Sequence, residues 1–421
     1  VTAGYLLQRV KSEGANPFRG VSCIIIDEVH ERSPENDLVL AFIKLLVPSQ
    51  TKIVLMSASP NVDSMREYFT FPHERLSVVA LAHSAAVFNV TERYLTQALA
   101  VIEVAEQRRA DEGASRDQAG GAHLPASSQQ VELLNEVSSL EVLQPVISRL
   151  VSTLWREQLD PGFAVLVFLP TWYTLEEQFK QLKAVLPPGS SIHVLHSHVD
   201  MDECMATLAA EESGEAKRVI LASPIAESSV TINNVAHVVD CCRACEIYWS
   251  ERAADHLSHI VWCSKSQAKQ RRGRTGRTCH GTVWRLVDRE TYHGFDDFET
   301  PTLCLQSQRK ECLLLNCSAE RKSQDAVTFL NGCVDPPPEQ TVQRALEKLC
   351  QMKMLDMLAQ QVRRGGARNR YTPTPYGDLA ESLPIELPSA EFLIHSAVVG
   401  LLPEALVLAS LSNTTPMPIV R

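Results

Sequence analysis

Two short blocks hold the residues that could do chemistry. The first is Asp27-Glu28-Val29-His30, two adjacent carboxylates and an imidazole directly after the apolar run Val21-Ser22-Cys23-Ile24-Ile25-Ile26. An acidic pair at the carboxyl end of a parallel strand stands where α/β proteins bind ligands, and it suits a metal-nucleotide. Mg²⁺ takes one or two carboxylates together with phosphate oxygens and water, so Asp27 can hold it while Glu28 orients or deprotonates the attacking water. Taken alone, such a strand end is as often a solvated loop. The second block is Gln270-Arg271-Arg272-Gly273-Arg274-Thr275-Gly276-Arg277, which with Lys265 and Lys269 makes a cationic stretch without an acid. Its two glycines let the backbone approach a ligand. Arg274 and Arg277 stand three apart, on one helical face, able to reach γ-phosphate oxygens, with Gln270 a turn earlier as a water-positioning amide. The plain alternative is a solvated basic loop or a nuclear-localisation patch. Combined with Asp27-Glu28, the block favours phosphate chemistry.

The elements that must position these blocks are those of an α/β protein. Lys52-Ile53-Val54-Leu55-Met56 repeats the pattern of the first run and ends in Ser57-Ala58-Ser59; both runs fit parallel strands buried on both faces. Between them Leu38, Phe42, Leu45 and Leu46 stand near helical spacing. A second strand-and-helix series follows, with strands expected at 163–169, 192–195, 218–222 and 235–239. Residues 106–130, rich in Gly, Ala, Ser and Gln, read as a long flexible insertion. The segment 246–262, with Trp249 and Trp262, alternates apolar and polar residues as a hairpin does, and its tryptophans are expected to pack on the core. Beyond Thr300 helical patterns dominate, among them 341–349 behind Pro336-Pro337-Pro338, and the tail beyond Ser389 is mostly apolar helix.

Composition excludes several classes. A chain of 421 residues, 45% hydrophobic and 21% charged, is neither a disordered tail nor a collagen-like fibre nor a small disulfide-stapled domain. No apolar run approaches the ~18 residues of a membrane span. Forty Lys and Arg stand against 50 Asp and Glu, a net charge of −10, so nucleic acid must be held by a local basic surface. Twelve cysteines are scattered without a repeating frame. The CxxC in Cys241-Cys242-Arg243-Ala244-Cys245 lacks a second pair at zinc spacing, so reduced, idle thiols in the cytoplasm or nucleus are expected. The opening Val1-Thr2-Ala3-Gly4 reads like mid-domain sequence, from which a fragment is expected.

The order of these blocks resembles the DEAH/DExH-box group of superfamily 2 RNA helicases over nearly the whole chain. The residues carrying the resemblance are Thr2 to Leu7, Asp27 to Arg32, Ser57-Ala58-Ser59, Val167-Phe168-Leu169-Pro170, Ala222 to Ile232 and Gln270 to Arg277. The strings Asp27 to Arg32, Gln270 to Thr278 and Tyr371 to Pro384 look most like plant-type DExH helicases that can carry a CCCH zinc finger, and no such finger lies in this chain. The resemblance implies tandem RecA-like α/β domains: the carboxyl-terminal part of the first over 1–82 and a complete second over 83–299. A winged helix over 300–384 and the start of a helical ratchet-like domain over 385–421 would follow.

It also implies roles and cofactors, ATP and Mg²⁺. Asp27 would reach the metal through water, Glu28 would activate the lytic water, and His30 would couple the nucleotide to Ser57 and Ser59. Gln270, Arg274 and Arg277 would close on the γ-phosphate from the second lobe, while Thr231 and Asn233 would face the ribose and phosphates. RNA phosphates would be held by Thr2 and Gly4, by Phe168 to Thr171, and by Ser223, with general rather than sequence-specific affinity. Departures from the pattern are Ser59 for the usual Thr, Pro224 for Asn, Leu208 for an adenine-stacking aromatic and Ala3 for Asp. No Gly-Lys dipeptide occurs, hence no GxxxxGK[ST] loop, and this chain alone is not expected to hydrolyse ATP efficiently. The activity implied is ATP-dependent 3′ to 5′ RNA unwinding or ribonucleoprotein remodelling by a monomer, with a protein activator as a possible partner. A catalytically silent RNA-binding scaffold and a DNA helicase are the alternatives.

Overall fold

The computed structural model describes residues 1–13, 18–46, 51–57, 61–69, 77–79, 88–111, 133–197, 216–227, 232–318, 325–363 and 366–413, with single positions 199, 202, 205 and 209. Strands β1 (Cys23–Ile26) and β2 (Lys52–Leu55) pair in parallel, joined through α2 (Pro34–Leu46). Helix α1 (Ala3–Glu13) packs on α2, and α3 (Val62–Tyr68) follows β2. α2 starts earlier than its apolar spacing alone predicts, because Ser33 Oγ accepts from the Asn36 N–H and Pro34 tolerates the first turn. Strand β1 is buried on alternate residues, and Ile25 and Val54 are exposed. The expectation of burial on both faces is therefore corrected: α1 and α2 cover one face of this two-stranded sheet, and among the described residues its other face stays open.

The second sheet has six strands in the order β3-β10-β7-β4-β6-β5, all parallel. They are β3 (Val90–Tyr94), β4 (Ala164–Phe168), β5 (Ser191–Leu195), β6 (Arg218–Ala222), β7 (Val235–Asp240) and β10 (Gly281–Arg285). The uninterrupted runs Ala164-Val165-Leu166-Val167-Phe168 and Arg218-Val219-Ile220-Leu221-Ala222 are buried throughout, as a central parallel strand covered on both faces requires. Helices α4 (Leu95–Asp111), α5 (Leu140–Glu157) and α6 (Trp172–Val185) cover one face. α4 continues through the expected start of the insertion at 106, because Glu106 takes a two-pronged bond from Arg149 on α5 (2.7 and 2.6 Å) and Arg109 reaches Glu157. The rest of that insertion, residues 112–130, lies outside the described residues.

An antiparallel hairpin, β8 (Arg243–Ser250) and β9 (Asp255–Trp262), leads from β7 to α7 (Lys265–Arg272). At its base Trp262 stacks on Phe295 (5.3 Å, 23°) beneath the Arg243 guanidinium, whereas Trp249 meets His256 edge-on and lies under Arg309. α8 (Arg289–His293) follows β10, and the remaining elements are mostly helical: α9 (Thr302–Leu305), α10 (Arg309–Cys317), α11 (Ala326–Asn331) and α12 (Glu339–Gln351). Then come the hairpin β11 (Leu355–Arg363) and β12 (Gly366–Pro373), α13 (Pro375–Ser382), α14 (Leu387–Val398) and α15 (Leu402–Asn413). The apolar residues of α10 to α13 do not form a core of their own. They merge with Leu7, Val10 and Phe42 of α1 and α2 and with Ile24 and Ile26 of β1 in one continuous cluster. No helix among the described residues is long and apolar enough to cross a membrane.

Candidate active site

Asp27 and Glu28 follow β1 in a tight turn. Glu28 is left-handed at φ 53°, a one-turn helix spans Val29–Glu31, and Arg32 is left-handed again at φ 48°. Asp27 Oδ1 accepts from the Glu28 N–H (2.9 Å), and the Val29 N–H donates to Met56 O (3.1 Å), so the turn leans on the end of β2. Both carboxylates are exposed. His30, its side chain nearly covered, points Nδ1 at Glu28 Oε2 from 3.2 Å. Ser57, just past β2, has its Oγ buried with no hydrogen-bond partner among the described residues. Two open carboxylates beside a buried, unsatisfied hydroxyl fit a hydrated cation with phosphate oxygens, which would use such acceptors and donors. Ser59 and Thr231 lie outside the described residues, as does Leu208.

The cationic block departs from the expected single helical face. α7 opens on a capping box in which Ser264 and Gln267 satisfy each other's N–H groups, and it carries Gln270, but it ends at Arg272. Arg274 and Arg277 belong to the turn beyond it. The reason lies in the two glycines. Gly273 keeps a right-handed φ of −65° and closes the helix, while Gly276 has φ +76°, and a Cβ there would stand 2.3 Å from Val90 Cγ2 on β3. Gly276 thus lets the turn approach β3 closely. Arg277 is exposed, with Nε donating to Gly273 O (2.7 Å). Arg274 is buried, and its Nη2 donates to Glu227 O. Burial first, then the neighbouring Arg277, lower its guanidinium to about 10, against the pull of Glu227 and of Glu28. The carboxylate after β1 is thus near enough to the arginine after α7 to act on its charge, although the two follow different sheets.

Beneath Arg274 lies a network that the sequence reading did not single out. Parallel register sets Phe168, Asp240 and Arg285 side by side at the carboxyl ends of β4, β7 and β10. Arg271 is buried over them: Nε donates to Glu227 Oε1 (2.7 Å), Nη1 donates to Asp240 Oδ1 (2.8 Å), and the guanidinium lies over the Phe168 ring. Burial pushes the Glu227 carboxyl up to about 7, with Arg271 pulling it back. Removing one partner from such a buried set costs about 3–5 kcal/mol, so it fixes α7 and with it the start of the arginine turn. The signal existed: Asp240 ends an apolar strand just as Asp27 does. Asp240, Cys242 and Cys263 also converge within 4.8 Å, all buried. Asp240 there already accepts from Arg271 and from the Cys242 N–H, and burial holds the Cys242 thiol well above its ordinary value.

The residues expected to hold RNA separate into reachable and covered ones. Thr2 caps α1, with Oγ1 accepting from the Tyr5 N–H, and Gly4 has open space around it. Thr171 caps α6 through Thr174 and is partly exposed. Phe168 is buried, its carbonyl accepting from the Cys241 N–H, and Ser223 is buried, its N–H donating to Leu195 O. Burial of these two follows from their places at the ends of central strands. Asn233 is exposed, and its carbonyl accepts from Arg218 Nη2 (3.3 Å).

Comparison with known proteins agrees with this architecture. The helicase conserved C-terminal domain matches residues 146–279. The chain is 34% identical over 426 residues to zinc finger CCCH domain-containing protein 4 of Oryza sativa subsp. japonica, covering 100% of this chain and 40% of that protein. It is 35% identical over 425 residues to DExH-box ATP-dependent RNA helicase DExH8 of Arabidopsis thaliana, covering 99% and 39%. The chain thus spans about two-fifths of the length of these relatives. The crystal structure of the Escherichia coli DEAH/RHA helicase HrpB superposes with a TM-score of 0.67 at 19% identity, over 98% of this chain and 44% of that one, which establishes the shared α/β RecA-like fold. On its motif order, its fold and these relatives, the chain is similar to the DEAH/DExH-box helicases of superfamily 2, with a helicase C-terminal domain over residues 146–279.

Proposed function

We propose that the protein is an ATP-dependent RNA helicase that couples hydrolysis between its two RecA-like lobes to 3′ to 5′ unwinding or to remodelling of RNA–protein complexes. The observation that carries this reading is the exposed acidic turn after β1 together with the arginine turn after α7, near enough for Glu28 to act on the charge of Arg274. A carboxylate that takes a proton from water and a guanidinium that neutralises charge on the transferred phosphoryl group are the two protein functions such hydrolysis needs. Bound Mg²⁺, held near Asp27, would draw further charge from the phosphates. Arg277, close enough to Arg274 to depress its guanidinium, and Gln270 on the last turn of α7 would join it at the phosphate. Thr2, Gly4 and Thr171 offer capped helix starts to RNA phosphates, a mode that fixes position without reading bases. RNA spanning both lobes would close the gap, so hydrolysis is expected to depend on RNA. The name of the Arabidopsis thaliana relative, a DExH-box ATP-dependent RNA helicase, supports this assignment, and an intact set of charged site residues speaks against a silent scaffold.

The test measures ATP turnover of the full-length protein with RNA and with DNA of identical sequence. Stimulation by RNA well above that by DNA is expected; equal stimulation would defeat the RNA assignment. Glu28→Gln should keep ATP binding and lower turnover by at least ~100-fold. Near-normal turnover in that variant would remove Glu28 from the mechanism.

A further inference from the structure

The acidic turn holds two left-handed non-glycine residues, Glu28 and Arg32, at its two ends. Such backbone persists only where surrounding contacts over-determine it. At the first end those contacts are the Asp27 carboxylate and the ladder to Met56. At the second end they are made by the Arg32 side chain. Nε and Nη2 donate to the two oxygens of Asp37 on α2 (2.8 and 3.0 Å), and Asp37 is fully buried. Nη2 also stands 2.7 Å from Asp335 Oδ2, in the loop between α11 and α12. One guanidinium therefore spans the turn that presents Glu28, helix α2 of the first lobe, and the carboxyl-terminal helical unit.

Two features separate a positioning role from simple reinforcement. The unit bearing Asp335 is already docked without it: Phe329 packs on Phe42 (4.5 Å between ring centroids), and Tyr68 Oη donates to Gly332 O (2.9 Å). The Asp335 side chain is 47% exposed, so as an ion pair it adds little to stability. What Asp335 adds is direction, because it sets which way the planar guanidinium leans and hence how Arg32 holds the end of the turn.

We infer that Arg32 and Asp335 are positioning residues that transmit the placement of the carboxyl-terminal unit to Glu28, so that RNA bound against that unit and α1 sets the hydrolytic geometry. The inference rests on the proposed helicase function. Arg32 itself is a poor test because its loss would strand buried Asp37; Asp335 is the clean one. In the full-length protein, Asp335→Asn should lower RNA-stimulated turnover roughly 10-fold. Unstimulated turnover and the KM for ATP should stay within about 2-fold, and the melting temperature within about 2 °C. Asp335→Glu, which keeps the carboxylate, should restore stimulation. Full stimulation in Asp335→Asn would overturn the inference while leaving the helicase reading intact. Equal loss of basal and stimulated turnover, or early melting, would also overturn it by making the pair merely structural. A wild-type protein whose turnover RNA does not stimulate would overturn the functional reading, and this inference with it.

Discussion

His237 on β7 is buried, with Nδ1 lacking a hydrogen-bond partner among the described residues, and burial, against a hydrogen bond with the Gln158 backbone, lowers its imidazole to about 4. An unfolded histidine titrates near 6.5, so between these values the unfolded chain takes up a proton that the folded chain refuses. Stability from this group is therefore present above pH 6.5 and lost as pH falls toward 4, by about 3 kcal/mol. Glu227 runs the other way: its raised carboxyl contributes stability below about pH 4.5 that is lost as pH rises through 7. Urea unfolding of the wild type and of His237→Leu between pH 4 and 7.5 separates the two, since only the imidazole differs. The wild type should lose about 3 kcal/mol relative to the variant on going from pH 7 to pH 4; parallel profiles would mean that His237 is charged in the folded state. At this scale the sequence is a good guide to residue type and a poor one to environment. Phe168 sits in a motif yet is core, and Arg271, between two residues of the cationic block, is buried while Arg277 is not.

Elements inherit their limits from such contacts. The spacing of Arg274 and Arg277 reads as helix, but α7 stops at Arg272 because the chain must turn to pass Gly276 against Val90. Gly276→Ala should thus be costly twice over, from a Cβ at φ +76° and from overlap with the valine methyl, together about 2–4 kcal/mol. Gly273→Ala, at a right-handed φ, should cost less. Thermal unfolding of both variants checks this; equal losses would mean that the turn yields freely. Where periodicity and burial agree, elements were legible in advance. β4 and β6 are central strands as continuous apolar runs demand, and the ends of the hairpin, of α2 and of α12 lie within a few residues of their pattern. β1 and β2 carry the same composition but are covered on one face, which a strand's own sequence cannot reveal.

In the whole molecule, the first-lobe elements and the carboxyl-terminal helices share one core although nearly the entire second sheet lies between them in the chain. Phe42 and Phe329, both buried, form its aromatic contact. Phe329→Ala should remove about 3–5 kcal/mol of packing and loosen α11 and α12 from α2, seen as faster proteolysis within 325–350. Unchanged cleavage would mean that the remaining apolar contacts hold the unit alone. By itself the sequence determined the strand–helix alternation, the acidic turn after β1, the cationic block and the motif order that marks the family, because each is written in local periodicity or in residue type at fixed spacing. Only the tertiary structure decided that Glu28 comes within electrostatic reach of Arg274, that Asp240 meets Arg271 and Arg285, and that Arg32 reaches Asp335. Those meetings depend on strand register, on crossovers and on two separate sheets being brought together. The partners stand from 31 residues apart, as Asp240 and Arg271 do, to hundreds apart, so no local pattern encodes them.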